Sequence, residues 1–358
     1  MNVSLKAALL LVLAGFLTTA CAPTQRVMTF EMPQAPHANR LVWPDPPAPA
    51  RIVYVGDLVG ESNFISSTDD VKSGFRRFLE VLAGVGLDSP PPQVLRRPQS
   101  GVTGPDGRIY VTDVGASALF VFDEINGTMD IWSGLAKGLN FVAPTGVAIG
   151  IDGQLLVVDS ELGEVFVLNS QSGELLNRFG AGVLQRPTGI VVVPEHQLIF
   201  VADTQAHDIK VFDRQGQLVD SIGQRGDGEG EFNAPVYLAY QGGKLFIGDV
   251  LNARIQVVGV EGRIFNVIGE RGLYVGNLTR PKGVALDSDG NLYVVESYYD
   301  HLLVFNQQGQ LLLPIGGPGF ASGRFFLPSG VWVDQHDRIY VADMLNGRVS
   351  IFQYIGNP

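Results

Sequence analysis

The chain has 358 residues, a formal net charge of −11, and a composition that is 46% hydrophobic and 17% charged. The excess of acidic residues argues against a protein that binds nucleic acid by neutralising its phosphates, so we predict no nucleic-acid partner. The apolar content excludes disorder along the whole chain and suffices for a sizeable core. With 44 Gly, 21 Pro and a single Cys, the composition favours many short strands and excludes an intramolecular disulfide.

The N-terminus has the pattern of an export signal. Lys6 precedes an apolar run over residues 7–17, which is too short for a stable transmembrane helix. The run ends in small residues before Cys21, the only cysteine of the chain. The stretch Leu17–Cys21 resembles the bacterial lipoprotein signal. This resemblance implies that residues 1–20 are removed, that Cys21 is acylated and, with Ala22 following, that the protein is anchored in the outer membrane.

Residues 21–50 are rich in Pro and Ala and show little periodicity. They predict a semi-extended tether that ends where the folded domain begins, at residue 51. At about 3.3 Å per residue at most, such a tether would hold the domain away from the membrane. Leu41 and Trp43 are its two candidates for docking on the domain.

A repeat of about 46 residues runs through the remainder of the chain. Each copy begins with a proline and an apolar run. A turn leads to a second apolar run, which ends at an acidic residue that we call the closing acid. A third and a fourth run follow. The spacings between closing acids are 46, 44, 46, 47 and 47 residues. The prolines are Pro98, Pro144, Pro187, Pro235, Pro281 and Pro328, and the acids are Asp113, Asp159, Asp203, Asp249, Glu296 and Asp343.

Four antiparallel strands per repeat predict the blade of a β-propeller, because one sheet face cannot be buried alone and must stack on its neighbours. We therefore predict an all-β fold, a six-bladed propeller over residues 51–358. The repeat resembles the NHL-repeat family of six-bladed β-propellers. The residues at that family's Asn, Arg and His positions are Asn252, Arg254, Asn346, Arg348 and His207.

The sixth repeat lacks its fourth strand, and residues 51–58 are predicted to supply it. Their Val55-Gly56 pair matches the Ile-Gly pair that ends other fourth strands, and the resulting closure leaves no open strand edge. Residues 59–97 then form an insertion with one short helix over residues 71–83, where Val71, Phe75, Phe78, Leu79 and Leu82 follow 3.6-residue spacing. Fourth-to-first and second-to-third connections share one end of a propeller, which we call the loop face, and the helix is expected beside it.

Candidates for catalysis are few. A catalytic metal needs about three protein ligands, and the innermost strands contain no His, Asp or Glu. We therefore predict no metal, no cofactor and no catalytic activity, with a propeller-type lyase or hydrolase of the cell envelope as the alternative. The six closing acids could also line a cation site. A structural role is favoured, because an Asp at a strand end accepts backbone N–H groups of the following loop.

The predicted function is that of a non-catalytic binding or assembly scaffold for a protein or an envelope ligand, anchored by the N-terminal lipid. Blade five departs from the repeat after Glu296, where Ser-Tyr-Tyr-Asp-His replaces the plain loop. Aromatic side chains are enriched at interfaces, although these tyrosines could instead pack between blades. The predicted binding face comprises Tyr298, Tyr299, Asp300, His301, His207, Arg254 and Arg348.

Overall fold

The computed structural model describes residues 26–30, 41–66 and 92–356. Six antiparallel sheets of at least four strands surround a common axis, which confirms the six-bladed propeller expected from the repeats. No helix in the described part of the chain is long and apolar enough to cross a membrane. The predicted signal and Cys21, as well as the predicted helix over residues 71–83, lie outside the described residues.

Each of the first five blades consists of four consecutive strands that pair in chain order. The strands before blade one are β1 (Arg26–Met28), β2 (Val42–Trp43), β3 (Ile52–Leu58) and β4 (Phe64–Ser66). Blade one comprises β5 (Pro98–Thr103), β6 (Ile109–Asp113), β7 (Ala118–Asp123) and β8 (Thr128–Trp132), and the hairpin β9 (Gly134–Ala136) and β10 (Leu139–Asn140) follows. Blade two comprises β11 (Pro144–Ile149), β12 (Leu155–Asp159), β13 (Glu164–Leu168) and β14 (Leu175–Phe179).

The remaining blades follow the same order. Blade three comprises β15 (Pro187–Val193), β16 (Leu198–Asp203), β17 (Asp208–Asp213) and β18 (Leu218–Ile222). Blade four comprises β19 (Pro235–Gln241), β20 (Lys244–Asp249), β21 (Arg254–Gly259) and β22 (Ile264–Ile268). Blade five comprises β23 (Pro281–Leu286), β24 (Leu292–Glu296), β25 (His301–Phe305) and β26 (Leu311–Gly316). Blade six begins with β27 (Val331–Val333), β28 (Arg338–Asp343) and β29 (Arg348–Tyr354), and single 3-10 turns lie at Glu61–Asn63, Pro194–His196, Val250–Asn252 and Met344–Asn346.

Blade six joins the two ends of the domain. Its fourth strand is β3, which pairs antiparallel with β29, and this confirms the predicted closure by residues 51–58. The alignment within that segment was wrong, because Leu58, and not Val55, occupies the position that Ile222 holds in blade three. Val55 is the extra residue of a β-bulge, at the same place as the bulge in β18. The pairing of β3 with β29 sets this register, and a match between two neighbouring residues in the sequence does not reveal that pairing.

Part of the predicted tether is folded against the propeller. β2 pairs with β3 as a fifth strand of blade six, and the Trp43 ring packs edge-on against Phe352 at 5.5 Å between centroids. β1 pairs with β4 and buries Met28 in the core between blades six and one. The folded unit therefore begins before the predicted boundary at residue 51, because apolar side chains within the Pro-rich segment pack against the propeller.

The axis is blocked close to the loop face by a tyrosine. Tyr237 lies on the innermost strand of blade four, and its hydroxyl donates a hydrogen bond to the carbonyl oxygen of Gln99 in blade one, 3.0 Å away. The same hydroxyl lies 3.1 Å from the Ser329 Oγ of blade six. Blades four and one face each other across a ring of six, so Tyr237 spans the axis. Beyond it, a cavity of about 360 Å³ extends towards the opposite face, where Pro194 and Gln241 line it.

Candidate functional site

The closing acids fasten the backbone of the loop face. Asp113 accepts N–H groups from Arg96 and Arg97, which lead into β5, and from Gly115 and Ala116 in the loop after β6. The other five acids accept backbone N–H groups from equivalent residues, and all six are at most 1% exposed. Among the described residues, no group of three or more His, Cys, Asp or Glu is placed to hold a metal ion. The acids therefore shape the loop face without presenting free carboxylates to it.

The fourth residue after each acid has a left-handed backbone, with φ between 49° and 65°. This residue is His207 in blade three and Asp300 in blade five. Each side chain accepts a hydrogen bond that links its blade to the next one. The Nδ1 of His207 accepts the N–H of Ala234 at 3.1 Å, and the Oδ1 of Asp300 accepts the N–H of Leu327 at 2.7 Å. Burial raises the pKa of Asp300 above its usual value, although the Leu327 N–H favours the carboxylate.

Two arginines of the predicted binding face are also engaged within the fold. Arg254 lies 2.9 Å from Asp249 and donates to three carbonyl oxygens of the acidic connection over residues 225–231. Arg348 is 8% exposed. It donates to two buried carboxylates and to two carbonyl oxygens in the equivalent connection, which leads into blade six. Both guanidinium groups hold loops in place, which removes them from the set of accessible ligand-binding side chains.

Four of the predicted residues come together in one pocket. Tyr298, Tyr299, Asp300 and His301 line a space of about 260 Å³, and the facing wall is the connection from blade four over residues 273–277. The backbone N–H groups of both tyrosines donate to the buried Glu296 carboxylate, which fixes the loop that carries them. The two rings pack edge-on at 4.9 Å between centroids. Blade five thus builds a pocket where the repeat is irregular.

The rim of this pocket is apolar and open to solvent. Leu273 and Tyr274 are each 83% exposed, Val275 is 61% exposed and Tyr298 is 58% exposed. Phe320, 74% exposed, lies on the connection that carries Pro318 of the pocket wall. We call Leu273–Val275 and Tyr298 the apolar rim patch. The exposure of Tyr298 argues against the alternative that this tyrosine packs between blades.

Sequence reasoning missed Leu273–Val275 and Phe320. A signal was present in the connections that lead into the blades. The connection that leads into blade four contains the acidic stretch over residues 225–231, whereas the connection that leads into blade five has Leu-Tyr-Val at the equivalent place. An exposed loop has no packing reason to carry three large apolar side chains in succession. Comparison of the fourth-to-first connections with one another would have identified the patch.

No protein-family model and no curated protein sequence matches the chain. Solved structures do match. A catalytically inactive His-to-Ala variant of virginiamycin B lyase from Staphylococcus aureus, with quinupristin, shares 12% identity with a TM-score of 0.55 over 93% of this chain and 97% of that one. The chain is similar in fold to β-propeller proteins.

Two other solved structures carry the name auxiliary nutrient binding protein. One, from Bacteroides thetaiotaomicron, is 12% identical with a TM-score of 0.59 over 74% of this chain and 70% of that one. The second, from Bacteroides ovatus, is 14% identical with a TM-score of 0.57 over 72% and 69%. At these identities the likeness concerns the propeller fold alone, and a lyase and binding proteins share it.

Proposed function

We propose that this protein is an exported, lipid-anchored propeller of the NHL-repeat type that acts as a non-catalytic binding scaffold for a protein partner. The observation that carries the proposal is the apolar rim patch beside the blade-five pocket. Contiguous exposed apolar surface on a soluble domain marks interaction sites, and aromatic residues are frequent hot spots of binding energy. The nutrient-binding proteins among the similar structures support a binding role for such a propeller.

The size and shape of the pocket favour a protein over a small molecule as the occupant. Its volume of about 260 Å³ lies below the usual range for small-molecule sites, roughly 300–1,000 Å³. One or two apolar side chains of a partner would fill it, while the surrounding rim covers a broader area. The partner surface we propose is therefore an apolar protruding segment with an aliphatic or aromatic anchor.

The path of the N-terminal segment supports an orientation for this scaffold. The carbonyl oxygen of Arg26 lies against Gly127, in the turn between β7 and β8 on the face opposite the loop face. The five residues from Cys21 to Arg26 can span about 17 Å at most. A lipid on Cys21 would hold that opposite face near the membrane. The apolar rim patch would then point away from the membrane, where a partner can reach it.

Replacement of Cys21 by Ser tests the anchor. Without an acylated cysteine, the protein has no lipid to retain it, so the variant should move to the soluble fraction after cell fractionation. The wild type should stay with the membranes through a high-salt wash. A Cys21→Ser protein that remains membrane-bound after that wash would contradict the lipid anchor while leaving the binding role open.

A double variant, Tyr274→Ser with Tyr298→Ser, tests the binding face. We expect its melting temperature to stay within a few degrees of the wild type, because exposed substitutions cost about 0.5 kcal/mol or less each. Partner capture from detergent-solubilised envelopes should fall at least tenfold, since interface aromatics carry much of the binding energy. The matched control is Ile125→Ser, which removes a side chain that is 74% exposed in the turn between β7 and β8. Equal capture by all three proteins would rule out the patch as the binding site.

A propeller-type lyase or hydrolase is the second candidate. It is favoured by His301 and Asp300 on the pocket wall and by the lyase among the similar structures. The two proposals differ in what they require from His301, because catalysis needs a titratable group and apolar docking does not. Undiminished partner capture by a His301→Gln variant would favour the scaffold.

A further inference from the structure

Tyr237 forms the floor of the axial cavity. Its ring reaches across the axis, and its hydroxyl is held by Gln99 and Ser329 on the far side. Burial raises the pKa of Tyr237 to about 12, so the hydroxyl stays protonated and donates to Gln99. The cavity is therefore closed towards the loop face and extends towards the opposite face. Each of the other five blades has a small residue at the same distance from its first proline, and these residues are Ser100, Gly146, Gly189, Gly283 and Gly330.

The walls of the cavity combine apolar side chains with backbone edges. All six innermost strands line it, and none of the lining residues in the described part of the chain is charged. Ile149, Val191 and Leu286 are partly exposed, although they lie inside the ring, because they face this space. The strands β5, β11, β15, β19 and β23 each pair with one neighbouring strand in the described sheets, so their inner edges present backbone N–H and C=O groups to the axis. The cavity thus offers apolar contact and hydrogen bonds without a charge.

Trp332 and Gln241 are fixed parts of this wall. The indole of Trp332 stacks on Tyr340 with 5.1 Å between ring centroids, and its Nε1 donates to the Oγ1 of Thr103 at 3.3 Å. At the opposite face, the amide of Gln241 donates to the carbonyl oxygen of Asp287 in blade five, 2.9 Å away. Both side chains are thus held in place before any molecule enters. Such pre-organisation lowers the entropic cost of binding.

We propose that the axial cavity binds a small uncharged molecule with an apolar body and one or two hydroxyl or amide groups. Its volume of about 360 Å³ lies within the usual range for small-molecule sites, roughly 300–1,000 Å³. An apolar body would displace water from the apolar walls, and hydroxyl or amide groups would pair with the strand edges. A charged group would lose its hydration without meeting an opposite charge on the described walls. This site is separate from the apolar rim patch and does not rest on the proposed function.

The test measures quenching of Trp332 fluorescence by two brominated probes. The chain has two other tryptophans, Trp43 and Trp132, and both lie on outermost strands, away from the axis. The probes are para-bromobenzyl alcohol, which is uncharged, and para-bromobenzoate, its charged counterpart, because bromine quenches an indole that it contacts. The full-length chain carries Cys21→Ser, so that neither lipid nor detergent competes for the cavity. We expect quenching by the alcohol to saturate, whereas quenching by the carboxylate should rise only in proportion to its concentration.

Two further substitutions in this chain assign the quenching to the cavity. Trp332→Phe should lose the saturable quenching, because no other tryptophan lies on the cavity wall. Ala239→Met, which enlarges a wall residue, should bind the alcohol at least tenfold more weakly. The matched control is Ala136→Met, on the exposed strand β9, which should bind as the reference chain does.

Three results would overturn the proposal. The first is the absence of saturable quenching by the alcohol, and the second is equal saturation by the carboxylate. The third is undiminished binding by an Ala239→Met protein that melts as the reference chain does. The first two results need no change in the cavity, so they decide the question even if Ala239→Met fails to fold.

Discussion

Removal of residues 51–58 is expected to abolish the single cooperative unfolding transition of the propeller. β3 supplies the fourth strand of blade six, and its loss would expose the backbone edge of β29 along its length. Ile52, Tyr54 and Leu58 would also leave the core, where each is at most 6% exposed. Blades six and one would then no longer be joined through the N-terminal strand. Thermal unfolding followed by circular dichroism and calorimetry measures the change.

The matched control for this deletion is a chain that starts at residue 51 and keeps β3. It loses β1 and β2, and with them the burial of Met28 and the contact between Trp43 and Phe352. Burial of one such side chain is worth about 1.5–3 kcal/mol, so the control should melt at a lower temperature but in one transition. An unchanged transition after removal of residues 51–58 would contradict the closure of the ring by β3.

The second large effect is expected for Arg348→Met, at about 3–5 kcal/mol of unfolding free energy. Arg348 Nη1 lies 3.0 Å from Asp57 Oδ2, on β3, and Arg348 Nε lies 2.9 Å from Asp343 Oδ2, at the end of β28. The arginine therefore neutralises two buried carboxylates and links the N-terminal strand to the C-terminal repeat. Methionine would fill much of the volume but leave both carboxylates without a cation. Denaturant unfolding at pH 8 measures the loss.

The cost of Arg348→Met should depend on pH. Burial raises the pKa of Asp343 to about 6 and that of Asp57 above its usual value, even with Arg348 present. A carboxyl whose folded-state pKa is raised favours folding in its protonated form, so the folded state takes up protons as the pH falls through about 6. Loss of the arginine raises both pKa values further. The deficit of the variant should therefore be greatest at alkaline pH, above the raised pKa values of the variant, and should shrink as the pH falls towards about 6, where Asp343 is protonated in the wild type as well.

Arg254→Met provides the control for this pair of charges. Arg254 holds Asp249 and the following connection in blade four, but it has no partner on the N-terminal strand. We expect a smaller loss of stability than for Arg348→Met. If Arg348→Met were equally destabilised at pH 8 and pH 5, lost packing rather than unpaired carboxylates would be the cause.

The sequence by itself determined the blades and their closure. Prolines, closing acids and apolar runs recur at nearly constant spacing, and these features act within one repeat, so strand order can be inferred from any copy. Counting strands also predicted that residues 51–58 complete blade six. The structural role of acids such as Asp113 was expected on the same local grounds, since a strand-end carboxylate and its loop are adjacent in the chain.

Only the tertiary structure decided the features that depend on contacts between distant segments. Leu58 rather than Val55 faces Val349, because the bulge forms only when β3 meets β29. The roles of His207 and Arg348 depend on partners in the next blade or across the closure, where composition gives no information. The apolar rim patch arises because residues 273–275 and Tyr298, from separate connections, reach the same edge of the loop face. Local patterns specify the strands of this fold, whereas its surface chemistry is set by which loops the ring brings together.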